Sequence, residues 1–191
     1  MFKNIENLKF KTVVCDPPWQ FRRQPKSVGP TYNLLTLDEI KLFPIRDISD
    51  ENAHLYLWIP NAFIKEGVSV MEAWGFSYKT VITWVKHQVG VGNHFRNSSE
   101  QILFGVRGRL PLLRRDLRTW FLADRRQHSR KPDEFYRIVE SASPGPRIDV
   151  FSREMRHGWA QWGDECNFFN QKITEENYAS NNVGAKPTIN G

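Results

Sequence analysis

Apolar residues in this chain come in short bursts, and the bursts follow two different periods. Continuous runs at Val13–Cys15, Leu55–Ile59, Val81–Val85, Ile102–Val106 and Ile148–Phe151 have the length and the β-branched or aromatic content of buried strands. Helical spacing appears between some of them. Leu37–Phe43 follows Thr36, with Glu39 three residues on, the pattern of a capping box. Ala62–Trp74 repeats apolar residues at Phe63, Val70, Ala73 and Trp74 and stops at Gly75, a residue that readily closes a helix. Pro132–Ala142 places Phe135, Ile138 and Val139 on one side, with Pro132 expected in the first turn and Asp133 and Glu134 complementing the helix dipole. Strands alternating with helices predict an α/β fold: a mostly parallel sheet with helices on both faces.

The connections Phe21–Tyr32, His87–Ser99 and Gly108–Arg130 are longer than packing requires, and long loops in a small domain often carry function. From about Asn167 to Gly191 the residues are polar and aperiodic, which predicts a single domain over 1–166 followed by a flexible tail over 167–191. With 191 residues the chain is long enough for one ordinary core and too short for two. Its formal net charge of +6, with generous Arg, Trp and Phe, is compatible with an anionic partner such as a nucleic acid, although charge alone fits a modestly basic soluble protein with an aromatic core slightly better. Cys15 and Cys166 stand apart from any CxxC or Cys/His cluster, and the five histidines show no ligand spacing. The expectation is reduced thiols and no metal. Met1–Glu6 lacks a signal-peptide core and no apolar run reaches membrane-spanning length, so a soluble, cytoplasmic protein is expected.

Asp16-Pro17-Pro18-Trp19 adds candidate chemistry directly after the first apolar run. Two prolines can neither extend a sheet ladder nor enter a helix interior, so the chain must turn there. A carboxylate, carbonyls on a stiff backbone and an aromatic plane then meet at the carboxyl end of a strand, where open α/β sheets bind ligands. Acceptors beside a stacking surface suit the amino edge of adenine or cytosine. The alternative reading is a capping Asp followed by a structural Pro-Pro turn.

A second constellation lies later, in His128–Pro132, Arg147–Arg153 and Gly158–Glu165. Lys131 beside a helix N-terminus suits a small carboxylate or phosphate. Asp149, near the end of a strand, can accept ribose hydroxyls, as the acid of dinucleotide-binding folds does. Taken singly, Lys131 reads as well as a surface lysine, and Asp149 as a satisfied edge residue.

Several segments match a known family in its order: Asp16–Trp19, Tyr32 before Thr36–Ile40, Leu55–Trp58, Thr83–Lys86, Ser99–Gly108, Lys131–Tyr136, Ser143–Gly145, Arg147–Arg153 and Gly158-Trp159. On these the chain resembles the MT-A70 family of S-adenosylmethionine-dependent adenine-N6 methyltransferases over residues 10–166. The resemblance implies a Rossmann-like methyltransferase fold with permuted motif order, the catalytic tetrapeptide preceding the cofactor-binding strand. It implies that Asp16 and Pro17 hold the target amino group while Pro18 and Trp19 flank the base. Lys131 would contact the methionine carboxylate of the S-adenosyl-L-methionine cofactor and Asp149 its ribose. Phe151, Arg153, Asp164 and Glu165 would lie around the ribose and adenine, and Tyr32, Lys86 and Glu100 near the acceptor pocket. Two departures stand out: Glu154–His157 differs from relatives carrying His-Asn nearby, and Asp164-Glu165 stands where some relatives carry Asn-Gln.

The expected substrate is DNA, because the compact form looks like bacterial and phage members. RNA adenine, cytosine N4 and a non-catalytic nucleic-acid-binding subunit remain as alternatives, and a homo- or heterodimer is open. On duplex DNA the target base must leave the stack. Arg22, Arg23 and Lys26 are expected to hold flanking phosphates. Arg107, Arg109, Arg114, Arg115, Arg118, Arg125, Arg126 and Arg130 are expected to grip the backbone, with Trp120 and Phe121 filling the gap.

Overall fold

Val13, Val14 and Cys15 sit at the heart of a seven-stranded sheet. The computed structural model describes residues 8–20, 34–90, 92, 94–127 and 130–163. In chain order the elements are β1 (Phe10–Cys15), α1 (Leu37–Lys41), α2 (Ile45–Ile48), β2 (Ser49–Ile59), α3 (Ile64–Ala73), β3 (Ser77–Val85), β4 (Ser99–Arg107), β5 (Trp120–Leu122), α4 (Asp133–Ala142), β6 (Arg147–Val150) and β7 (Ala160–Trp162). The strand order is β5-β3-β4-β2-β1-β6-β7. Parallel pairs join β1 to β2 and β6, β3 to β5, and β6 to β7. Only β4 runs against its neighbours. It follows β3 without an intervening helix, and a direct return of this kind forces antiparallel pairing.

Alternation along the strands divides the core in two. Val13, Cys15, Leu55, Leu57, Leu103, Ile148 and Val150 face α1, α2 and α3, meeting Ile40, Ile45, Ile48, Val70, Met71 and Trp74. Val14, Tyr56, Trp58, Trp84, Ile102 and Phe104 face α4 and its Phe135, Tyr136 and Val139. Phe135 meets Trp58 at 4.7 Å, edge to face. Burying a ring of this size contributes about 1.5–3 kcal/mol. The mostly parallel sheet and its helices on both faces are as expected, and so is the permuted order, since the strand carrying Asp16 lies beside the later strand carrying Asp149.

The predicted helix signals act as chemistry requires. Thr36 and Glu39 form the complete capping box of α1. After α3, the Gly75 N–H bonds Glu72 O and the Phe76 N–H bonds Met71 O, with Gly75 at φ +82°. This left-handed closure strongly favours glycine. Three boundaries differ from expectation. The α1 helix ends at Lys41 rather than Phe43. A 3-10 turn over Asn61–Phe63 precedes α3. Pro132 is the N-cap of α4, with extended backbone, rather than a first-turn residue. The tail expected over 167–191 lies outside the described residues. No helix among the described residues is long and apolar enough to cross a membrane.

One buried network fixes the amino edge of the sheet. His54 Nε2 bonds Leu110 O at 2.8 Å, and its Nδ1 lies 2.7 Å from Ser143 Oγ, which in turn lies 2.7 Å from the Tyr56 hydroxyl. Because a carbonyl only accepts, Nε2 carries the proton, Nδ1 accepts from Ser143, and Ser143 accepts from Tyr56. The chain after β4 is thereby tied down, and the Leu113 N–H bonds Ala142 O at the last residue of α4.

Candidate active site

The carboxyl edge is built on the turn that ends β1. The Asp16 N–H still bonds Val150 O at 3.3 Å, and the ladder then stops, because Pro17 and Pro18 have no N–H to offer. The Pro17 carbonyl accepts from the Trp19 N–H at 2.9 Å and the Pro18 carbonyl from the Leu35 N–H at 2.8 Å. Each keeps a second lone pair. Trp19 is only 6 % exposed, stacks on Phe63 at 5.7 Å, and donates from Nε1 to Trp58 O at 3.0 Å. The sequence reading has Trp19 flanking a base. In the structure its ring packs into the core beside the turn.

Asp16 projects into a line of alternating charges. Lys131 Nζ lies 2.9 Å from Asp16 Oδ2 and 3.4 Å from Glu100 Oε2, and Glu100 also pairs with Lys86. The members come from four places: the end of β1, the segment before α4, the start of β4 and the residue after β3. Each ammonium also sits 4.4 Å above an indole, Lys131 over Trp58 and Lys86 over Trp84. Cation–π attraction and two carboxylates therefore hold both lysines. Burial would raise the Glu100 carboxyl, but Lys131 and Lys86 hold it down at about 2. Burial would lower the Lys131 ammonium, but Asp16 and Glu100 outweigh it and raise it above the ordinary lysine value. Asp16 moves the other way: burial raises its carboxyl even against Lys131 and the more distant Arg153.

Asp149 sits one strand over, on the α4 side of β6, opposite Val14 of β1. It is 6 % exposed and accepts a 2.7 Å bond from the Tyr136 hydroxyl on Oδ2. Burial, together with the charge of Asp16, lifts its carboxyl to about 7 against the opposing pull of Tyr136, Arg156 and Lys131. This lies above the ordinary aspartate value near 4 of an unfolded chain. The stability Asp149 contributes is therefore full below about pH 4 and is lost as pH rises through 7. Above 7 the fold holds an ionised carboxylate with one donor, a site that fits the paired hydroxyls of a ribose.

Phe151, the next residue but one, takes a left-handed backbone at φ +64° and packs on Phe43 and Trp162. For a residue with a Cβ this conformation costs on the order of 1–2 kcal/mol, and it bends the chain sharply off the carboxyl edge. Arg153 follows, close enough to weigh on Asp16 electrostatically.

The structure thus brings together Asp16, Pro17, Pro18, Lys86, Glu100, Lys131, Asp149, Phe151 and Arg153. Tyr32, Arg22, Arg23, Asp164 and Glu165 lie outside the described residues. Arg114 and Arg115 are not brought to this group. They follow Leu113, which is bonded to the last residue of α4, whereas Lys131 lies just before that helix's first residue. A ten-residue helix is about 15 Å long. The pair therefore sits at the opposite, amino edge, and Arg114 is occupied by Asp116 at 3.0 Å. Nor does the rest of the arginine-rich loop form one grip. Arg107 bonds Arg46 O, Phe121 is buried in the α4-side core, and Arg126 and Arg130 are tied to acids. Tyr136 and Trp58 are site residues that sequence reasoning missed. Tyr136 falls in the quoted Lys131–Tyr136 segment, one turn into α4, and that spacing was the available signal.

A Rossmann-like sheet with an Asp-Pro-Pro-Trp turn beside a ribose-type acid is the architecture of a methyltransferase domain. Comparison with known proteins makes the class specific: the chain belongs to the MT-A70 family, which matches residues 10–165. It is 29 % identical over 171 residues to a probable N(6)-adenosine-methyltransferase MT-A70-like protein of Oryza sativa subsp. japonica, covering 83 % of this chain and 23 % of that protein. It is 30 % identical over 169 residues to the Homo sapiens N(6)-adenosine-methyltransferase catalytic subunit METTL3, covering 82 % and 28 %. It is 25 % identical over 189 residues to the type II methyltransferase M.MunI of Mycoplasma sp, covering 86 % and 81 %. The chain spans about a quarter of the length of the plant and animal relatives.

Proposed function

We propose that this protein transfers the methyl group of S-adenosyl-L-methionine to the N6 amino group of adenine in DNA. The observation that carries the reading is the ion-paired line Asp16–Lys131–Glu100–Lys86 at the carboxyl edge, with Asp149 one strand away. Asp149 fits the cofactor ribose, and Lys131 fits the cofactor carboxylate. Phe151 and Arg153 line the same end of β6, and Asp164 and Glu165 complete this side in the proposal. The cofactor supplies a methyl group already activated on a positively charged sulfur.

The protein's own work is alignment. Asp16 accepts one N–H of the adenine amino group and the second lone pair of Pro17 O accepts the other. Both bonds favour a pyramidal nitrogen whose lone pair points out of the ring plane. Orientation of this kind contributes on the order of 7–11 kcal/mol to a barrier. Once alkylated, the nitrogen is acidic and sheds its extra proton to the Asp16 carboxylate, whose burial-raised pKa suits it to take one. Lys86 and Glu100 border the acceptor base, with Tyr32, Arg22 and Arg23 on the neighbouring segment.

Asp149 makes cofactor affinity depend on pH. The ionised carboxylate accepts ribose hydroxyls and the protonated form accepts them poorly, so affinity rises as pH increases through about 7. A hydrogen bond to a charged group contributes about 1.5–3 kcal/mol. Asp149→Asn is therefore expected to weaken binding about 10–100-fold at pH 8 and to flatten the pH profile. Calorimetric titration across pH 6–9 reads both, and a steep profile surviving in the variant would remove Asp149 from the ribose.

DNA is favoured over RNA because the type II methyltransferase M.MunI is matched over most of its length, whereas METTL3, named for adenosine, is matched over about a quarter. Methyl transfer to matched DNA and RNA oligonucleotides, in single-stranded and duplex forms, tests the choice. Faster labelling of DNA is expected, and label in RNA alone would reverse it.

A further inference from the structure

Arg156 lies in the Glu154–His157 stretch that departs from the family pattern, and it has a specific geometric relation to Asp149. Its guanidinium carbon sits 3.7 Å from the centroid of the Tyr136 ring, the ring whose hydroxyl bonds Asp149 Oδ2. Arg156 is itself held from several sides. Nη2 reaches Asp133 Oδ1 at 3.1 Å and Glu154 Oε2 at 3.5 Å, and the Arg156 carbonyl accepts from the Trp159 N–H and from Gln161 Nε2. Asp133 and Glu154 are held in turn by Arg126, 2.9 Å from Asp133, and by Arg130, 3.2 Å from Glu154. The Tyr136 ring also meets Trp159 perpendicularly at 5.5 Å, and the Trp159 indole N–H bonds Glu140. The ring is clamped.

We propose that Arg156 is a positioning residue that orients Asp149 toward the cofactor ribose through the ring of Tyr136. The proposal deepens the reading of the cofactor site given above and rests on it. With Arg156 stacked, Tyr136 keeps its hydroxyl on Oδ2, so Oδ1 of Asp149 stays available to a ligand. The titratable and charged groups acting on Asp149 are Tyr136 from α4, Asp16 from the end of β1, Lys131 from the segment before α4, and Arg156 itself. Asp16 opposes ionisation of Asp149, while Tyr136, Arg156 and Lys131 favour it. Losing Arg156 both frees the ring and removes one favourable charge. A side chain that only braced the loop would alter stability and leave the titration of Asp149 where it is.

The test follows the carboxyl carbon of Asp149 by NMR in the cofactor-free protein from pH 5 to 9. It compares wild type, Arg156→Gln, Arg156→Lys and Tyr136→Phe, with binding of S-adenosylhomocysteine measured on the same samples. In Arg156→Gln the Asp149 midpoint is expected to rise by about one pH unit. Binding at pH 7 should weaken roughly five- to tenfold and recover to within about twofold at pH 9. Tyr136→Phe should move the midpoint the same way. Arg156→Lys, which keeps charge without a flat stacking surface, should fall between wild type and Arg156→Gln, and it preserves the test if the glutamine variant does not fold. A folded Arg156→Gln protein with the wild-type midpoint overturns the proposal, as does full restoration by lysine, which would reduce Arg156 to a plain charge. Wild type that titrates Asp149 near 7 yet takes up no S-adenosylhomocysteine overturns the ribose reading and the proposal together.

Discussion

Replacing Asp16 with alanine is expected to lower the rate of methyl transfer by about 10³-fold or more while leaving cofactor affinity within roughly threefold of wild type. Two acceptors hold the amino group in the proposed mechanism, and only Asp16 brings a charge to meet the one that develops on nitrogen. Losing a single preorganised partner of a developing charge costs about 10²–10³-fold. The alanine variant also loses a proton acceptor. Asp16→Asn keeps an oxygen in place and should fall between, near 10²-fold. Cofactor binding survives in both, because Lys131 keeps Glu100 as a partner at 3.4 Å and Asp149, relieved of a charge that opposes its ionisation, keeps its bond from Tyr136. Single-turnover transfer on one sample and calorimetric cofactor titration on the same sample separate the two effects. A variant working within tenfold of wild type would take Asp16 out of the chemistry.

Lys131→Met is expected to damage binding and chemistry together. Among the described residues Lys131 is the cation that bridges Asp16 and Glu100, and it is also the proposed partner of the cofactor carboxylate. Without it the two carboxylates face each other with Lys86 on Glu100 and the charge of Arg153 on Asp16 left to balance them. The Glu100 carboxyl, held at about 2 chiefly by Lys131 against the effect of burial, then rises and begins to protonate as pH falls. Removing one partner of a buried ion pair costs about 3–5 kcal/mol of stability. Here both acids keep about a third of their surface in water, so the loss is on the order of 1–2 kcal/mol and the protein still folds. Cofactor affinity should fall about 100-fold, the equivalent of one charge-assisted contact. Turnover at saturating cofactor should fall as well, because Asp16 loses the group that fixes its orientation. Lys131→Arg keeps the charge, but its planar fork replaces a compact ammonium seated over Trp58, so recovery should be partial. Normal affinity in Lys131→Met, measured by the same titration, would assign the cofactor carboxylate elsewhere.

What the chain reveals by itself follows from how local each signal is. The central strands are continuous apolar runs, and the caps of α1 and α3 are set by residues within one turn, so both were legible. The short strands were not. Trp120–Leu122 and Ala160–Trp162 are three residues each, and they become strands only because β3 and β6 offer them an edge. The four-residue α2 is fixed by burial of Ile45 and Ile48 rather than by any period in its own sequence. Within the site, Asp16, Lys131 and Asp149 could be named from motifs, but the ion pair joining Asp16 to Lys131 depends on the sheet bringing distant segments to one edge. The arginine-rich loop shows the limit most clearly. Its composition suggests a single grip, whereas the direction of the chain through β5 splits it between two edges. Which edge each arginine reaches is decided by the His54–Leu110 and Leu113–Ala142 bonds, and nothing near Arg114 or Arg115 announces them.

The most direct test of the central claim is to locate the transferred methyl group. Wild-type protein would be given adenine-containing DNA labelled with nitrogen-15 at the exocyclic amines and S-adenosyl-L-methionine with a labelled methyl group. The product would then be digested to nucleosides and read by mass. The account predicts the label on N6 of deoxyadenosine, and its absence when Asp16→Ala replaces wild type. Label on N4 of deoxycytidine, or no transfer to any base by a protein that binds the cofactor, would contradict it.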